Sequence, residues 1–114
     1  MSKRGDIEFL TDILEAIRRI GIYTKGTDYE HFLDDIKTQD AVVRNLEIIG
    51  EAAKNISDDF KEKHPLILWK DLAGVRDKLI HHYFGVNLEV VWYIIIEDLS
   101  PLKEGIRRIL EQKN

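Results

Sequence analysis

The sequence contains no cysteine. Neither a disulfide framework nor a thiolate zinc site is available to it, and nothing in its composition argues for an oxidising compartment. A long hydrophobic run is missing as well: the longest apolar stretch, VVWYIII at 90–96, falls far short of the roughly 20 residues that span a bilayer. The amino-terminal MSKRGDIEFL has two basic residues but no continuous apolar stretch and no small-residue cleavage site, so no signal peptide is expected and a cytoplasmic location is. Positive charge is in deficit: 17 Lys and Arg stand against 21 Asp and Glu, a net charge of −4. Bulk electrostatics therefore does not make this chain a nucleic-acid binder, and any contact with RNA or DNA must come from local placement of cations. Internal repeats, low-complexity tracts and an HExxH metal motif are also absent.

What is present reads as a folded helical domain. The 114 residues, 44% apolar and 33% charged, fit one domain over 1–114 with enough chain to bury a core. Ile7, Leu10, Leu14 and Ile17, widened by Ile13 and Ile20, recur at helical spacing and predict a first helix over 7–20. Thr27 and Glu30 resemble a capping box for a short second helix, TDYEHFLDD. In AVVRNLEIIGEAAKNI, Val42, Leu46, Ile49, Ala53 and Ile56 share one seam and Ala41, Ile48 and Ala52 a neighbouring one, which suits a helix packed between two others. Gly50 within it is read as a point of close backbone approach.

Ser57 is placed to cap a short turn that His64-Pro65 ends, and helical spacing resumes over 69–83. Gly85 and Asn87 then read as a stop and a fresh N-cap. LEVVWYIIIEDL has strand-like propensity but no partner strand elsewhere in the chain, so it is expected to form a buried helix closing near Leu99. Ser100 and Pro101 would then start a terminal helix. The expectation is an all-α antiparallel bundle of four or five helices.

One stretch carries more polar groups than a bundle helix needs: RDKLIHHYFG at 76–85. A solvated face, a helix end favoured by the macrodipole, and core roles for Tyr83 and Phe84 are the ordinary explanations. A metal site is not expected, because His81 and His82 are adjacent and point about 100° apart. On an unbroken helical wheel with Leu72 at zero, Leu79 and Tyr83 lie within about 20° of it and Arg76 at roughly 40°, at the border of the core stripe. Asp77 and His81 are four residues apart and face one another, so the carboxylate can orient the imidazole. Ala73 and Ile80 form an apolar strip between Arg76 and that pair. Because Arg76 and His81 diverge by about 140°, a two-fold dimer along this strip is inferred to complete a joint cleft.

Arg76, four intervening residues, His81, one residue and Tyr83 match an R-x4-H-x-Y signature. With RNLEIIGEAAKNIS at 44–57, HPLILWKDLAGVRD at 64–77 and Trp92 after the motif, the chain resembles the HepT-like proteins of the HEPN superfamily from about residue 7 to residue 110. The resemblance implies a homodimeric helical bundle that acts as the ribonuclease toxin of a bacterial or archaeal toxin–antitoxin pair. Its partner would be a minimal nucleotidyltransferase antitoxin that silences it by transferring AMP to the motif tyrosine. By position, Arg76 and His81 become the catalytic pair, Tyr83 the AMP acceptor and Asp77 a supporting residue, standing where the family usually has asparagine or another polar residue.

These residue types suit that chemistry. Metal-independent RNA cleavage uses the neighbouring 2′-hydroxyl as nucleophile, so the protein has to move protons and stabilise a phosphorane. Histidine titrates near neutrality, and a guanidinium presents a permanent planar fork to phosphate oxygens. No cofactor is expected. The alternative, suggested by the acidic balance and Asp77, is a non-catalytic nucleotide- or substrate-binding subunit of an associated nucleotidyltransferase.

Overall fold

A computed structural model describes residues 5–79 and 85–112, and every regular element among them is helical. Helix α1 spans Asp6–Thr24, α2 Tyr29–Asp34 and α3 Ile36–Asn55. Three short helices follow: α4 (Asp58–Lys63), α5 (Trp69–Ala73) and α6 (Val75–Leu79). The last rod is composite, with α7 (Leu88–Tyr93), a π turn (Ile94–Asp98) and α8 (Leu99–Gln112) joined without a break. The all-α reading of the sequence holds, LEVVWYIIIEDL included.

The long helices form because their apolar residues recur every three or four positions and can be buried together. Leu10, Ile13, Ile17 and Ile20 of α1 pack on Val42, Leu46, Ile49 and Ala53 of α3, and Ile106 and Ile109 of α8 close the cluster. Truncating an enclosed residue such as Leu10 or Ile13 to alanine would cost about 2–5 kcal/mol. Asn45 is the polar exception in this core: its Nδ2 donates to the Ala41 carbonyl at 2.8 Å.

Three of the short helices, α2, α4 and α7, have side-chain caps. Asp28, Ser57 and Asn87 each accept a hydrogen bond from the backbone N–H three residues on, satisfying donors that the first helical turn leaves open. The expected Thr27 box does not form, because Asp28 holds the extended cap conformation and its carboxylate reaches His31 N–H first. Ser57 also donates from its N–H and its hydroxyl to the Asp6 carboxylate, at 2.8 and 2.7 Å, tying the end of α3 to the start of α1.

Two other expectations need correction. The helix foreseen over 69–83 is interrupted at Gly74, which sits near φ −91° and ψ 8° between α5 and α6. As a result Val75 is buried and Leu72 only half-buried, and a wheel drawn unbroken from Leu72 does not carry across the joint. Nor does the helix end at Leu99. The Leu99 N–H donates five residues back to the Ile94 carbonyl, and the chain stays helical through Ser100 and Pro101. A proline ring collides with the carbonyl four residues earlier, here Glu97, and the widened turn containing Glu97 makes room for it. This helix is also less buried than expected: Val91 and Ile94 are enclosed, whereas Tyr93 and Ile96 are exposed.

Gly50 performs the close approach read from the sequence. A Cβ there would lie 3.0 Å from Val75 Cγ1 and 3.1 Å from the Leu72 carbonyl oxygen, so α3 meets the α5–α6 joint with no room for a side chain. Gly105 of α8 differs, since a Cβ would find only Ile67, at 3.7 Å. Gly50→Val should therefore destabilise the fold by about 1–3 kcal/mol through overpacking. Gly105→Ala should stabilise it by about 0.5–1 kcal/mol through helix propensity. Urea denaturation of the two variants checks both signs, and equal effects would contradict the asymmetry.

Candidate active site

The motif helix is placed by the Gly50 contact. Val75 drops into the core against α3, which turns the next residue, Arg76, along the flank of α3. Arg76 Nε lies 3.7 Å from Glu47 Oε2, with 69% of the Arg76 side chain and 37% of the Glu47 side chain exposed. The guanidinium thus stands at the surface, held loosely by one carboxylate, with most of its donors open to solvent. Asp77 is exposed beside it. Lys78 points away from Arg76 by about 160° of helical turn and approaches Asp71 at 4.0 Å.

Arg76 and Asp77 are thus both at the surface, Arg76 more exposed than the border position that the unbroken wheel gave it. His81, Tyr83, His82 and Ile80 fall outside the described residues, and so does the pairing of Asp77 with His81. The ends of that stretch are held together: the Asn87 N–H donates to the Leu79 carbonyl at 2.7 Å, and Gly85 takes a left-handed conformation with φ +81°. This hydrogen bond sets the end of α6 beside the start of α7.

Glu47 was not visible as a site residue in the sequence. It stands 29 positions before Arg76 in an unremarkable helical stretch, and only the packing of α6 on α3 brings the two together. The remaining histidines have local roles. His31 Nδ1 lies 2.6 Å from the Asp28 carboxylate, and this hydrogen bond and the adjacent negative charge raise the imidazole pKa above its ordinary value. His64 stacks on Phe60 with ring centroids 4.5 Å apart, and its carbonyl accepts from the Trp69 indole. Among the described residues, no three His, Asp or Glu side chains come together in a way that could hold a metal ion. No helix among them is long and apolar enough to cross a membrane.

An all-α bundle with an exposed arginine opening an R-x4-H-x-Y motif defines a class, and comparison with known proteins gives it a family. Residues 13–109 match the family described as ribonuclease HepT-like. A "Probable ribonuclease HepT" of Thermococcus cleftensis is 54% identical over 107 residues, covering 94% of this chain and 97% of that protein. A "Putative RNase" of Methanocaldococcus jannaschii is 47% identical over 113 residues, covering 96% of this chain and 93% of the relative. A second "Putative RNase", from Caldanaerobacter subterraneus, is 42% identical over 105 residues, covering 92% of this chain and 94% of that protein. No solved structure matches. The chain belongs to the HepT-like ribonuclease family.

Two consequences of this electrostatic arrangement are measurable. Glu47→Gln removes a solvent-screened ion pair and should change stability by no more than about 0.5 kcal/mol in urea denaturation. A larger loss would mean that the pair holds α6 in place. For His31, the raised pKa means that the Asp28 interaction is fully present below the unfolded imidazole's pKa and is lost as pH rises through the higher folded value. Asp28→Asn, which keeps a capping oxygen, should bring the NMR titration of His31 back down toward the ordinary histidine range.

Proposed function

We propose that this protein is a metal-independent endoribonuclease, the toxin of a toxin–antitoxin pair, in which Arg76 and His81 carry the reaction. The observation that supports it most is that the exposed Arg76 on α6 opens the R-x4-H-x-Y motif inside the stretch matching a ribonuclease family. His81 accepts the proton from an RNA 2′-hydroxyl, whose oxygen attacks the adjacent phosphorus. The bond to the 5′-oxygen breaks and that oxygen takes a proton from water, leaving a 2′,3′-cyclic phosphate and a free 5′-hydroxyl, while His81 returns its proton to solvent. Arg76 donates to the phosphate oxygens, where charge accumulates in the transition state. Asp77 supports the imidazole.

The same reading makes the working unit a cytoplasmic homodimer, since five residues at helical spacing would diverge by about 140° and a second copy would be needed to complete a tight site. Its partner is a minimal nucleotidyltransferase that transfers AMP to Tyr83. The phosphodiester so formed would compete for Arg76 with an RNA phosphate and fill the cleft. Glu47 enters as a modulator: while it pairs with Arg76, it competes with phosphate for the same guanidinium.

Purified protein incubated with RNA in excess EDTA should yield fragments ending in 2′,3′-cyclic phosphate. His81→Ala and Arg76→Ala should each lower the cleavage rate at least about a hundredfold, and equal cleavage by His81→Ala would defeat the assignment. Glu47→Gln should tighten RNA binding by a few-fold, in line with the small worth of an exposed ion pair, about 0.2–1 kcal/mol. After co-expression with a nucleotidyltransferase of the minimal type, intact-mass and peptide spectrometry should find one AMP on Tyr83. An unmodified tyrosine would remove that part of the proposal.

A further inference from the structure

On the flank of α6 away from Arg76, a groove of about 730 Å³ runs between α3, the α4–α5 connector, the π turn and α8. Leu46, Ile49, Val75 and Leu102 line its depth. Leu66 and Leu68 stand on its lip, 96% and 66% exposed. Two exposed leucines beside an apolar floor, rimmed by charge, have the make-up of an interaction surface.

The rim charges say what kind of partner fits. Lys78 lies opposite Asp71, and Arg108 pairs with Glu104 at 3.6 Å, so those four offset one another. Glu97 and Asp98, both exposed and both on the π turn, are the excess, and they make the rim negative. Tyr93 and Glu97 are shared with an adjoining open hollow of about 430 Å³ that Tyr29, Trp92 and Glu89 complete. Aromatic faces flanked by carboxylates suit a guanidinium or ammonium group.

We propose that this groove binds an amphipathic helix of a partner protein, with the apolar stripe on the groove floor and Lys or Arg side chains against Glu97, Asp98 and the aromatic hollow. Helix-in-groove recognition reads apolar anchors at i, i+3 or i+4, and i+7 against an apolar floor. A second copy of this chain fits less well. In an isologous contact Glu97 and Asp98 would have to meet Lys78 or Arg108 of the second copy, and both of those cations are already offset by Asp71 and Glu104. The surface does not depend on the ribonuclease reading, since Arg76 and Glu47 lie on the other flank of α6.

Fluorescence anisotropy with the full chain and two labelled synthetic peptides tests this. Each peptide has about 14 residues, long enough for partial helicity, with leucines at helical spacing; one carries Lys and Arg on its polar face, the other Glu in their place. The cationic peptide should bind at least about tenfold more tightly, and added salt should weaken it. The double variant Glu97→Lys/Asp98→Lys should lose that preference. Gly105→Leu, which projects into the groove beside Ile67, should weaken the cationic peptide about tenfold while the far-ultraviolet circular dichroism stays helical. If Gly105→Leu does not fold, the charge-reversal variant, altered only at exposed side chains, decides the matter. Equal binding of both peptides, or wild-type binding by the charge-reversal variant, would overturn the proposal. So would self-association in sedimentation equilibrium that Gly105→Leu abolishes, because the groove would then be covered by a second copy.

Discussion

The approach of α3 to the α5–α6 joint at Gly50 is the constraint from which the site follows. With a Cβ position only 3.0 Å from Val75 and 3.1 Å from the Leu72 carbonyl, α6 seats against α3 in a contact that only glycine permits. Interiors are packed too densely for a continuous range of alternatives. Seating Val75 in the core leaves Arg76 on one flank, beside Glu47, and Lys78 on the other, at the edge of the groove. A glycine in a helix costs about 1 kcal/mol relative to alanine. Here that cost is offset by the contact that orients the arginine.

Two surfaces with different electrostatic characters result. In a chain with net charge −4, Arg76 stands at the surface with only a loose contact to Glu47. An exposed pair of this kind is worth little to stability, so its value lies in position. Across α6, the groove combines apolar depth with surplus carboxylates on the π turn. That combination is unsuited to a polyanion and suited to a basic, amphipathic protein segment.

The π turn links local chemistry to this second surface. Pro101 cannot donate to a carbonyl four residues back, and a regular helix would break there. The i→i+5 bond from Leu99 to Ile94 widens the preceding turn and keeps the rod continuous from Leu88 to Gln112. Through it, Glu97 and Asp98 stay in one continuous helical wall with Leu102, Gly105 and Arg108. A break with Ser100 as cap, which the Ser-Pro pair suggested, would have split that wall in two.

Much of this was legible in the sequence because it is local. Helical periodicity marked the buried residues of α1 and α3, Ser57 and Asn87 were read as caps, Gly50 as a close approach, and the R-x4-H-x-Y spacing with its flanking segments carried the family. The misreadings were also local in origin: Thr27 for Asp28 as a cap, an unbroken helix through Gly74, a stop at Ser100. In each case neighbouring backbone geometry chose between residues of nearly equal propensity. What no reading of the chain could supply is long-range: Glu47 beside Arg76, the Asp6–Ser57 tie, and the groove with its acidic rim. These depend on which faces of separate helices meet. Sequence spacing determines which residues share a face, whereas the partner each face meets is decided only when the helices pack around a common core.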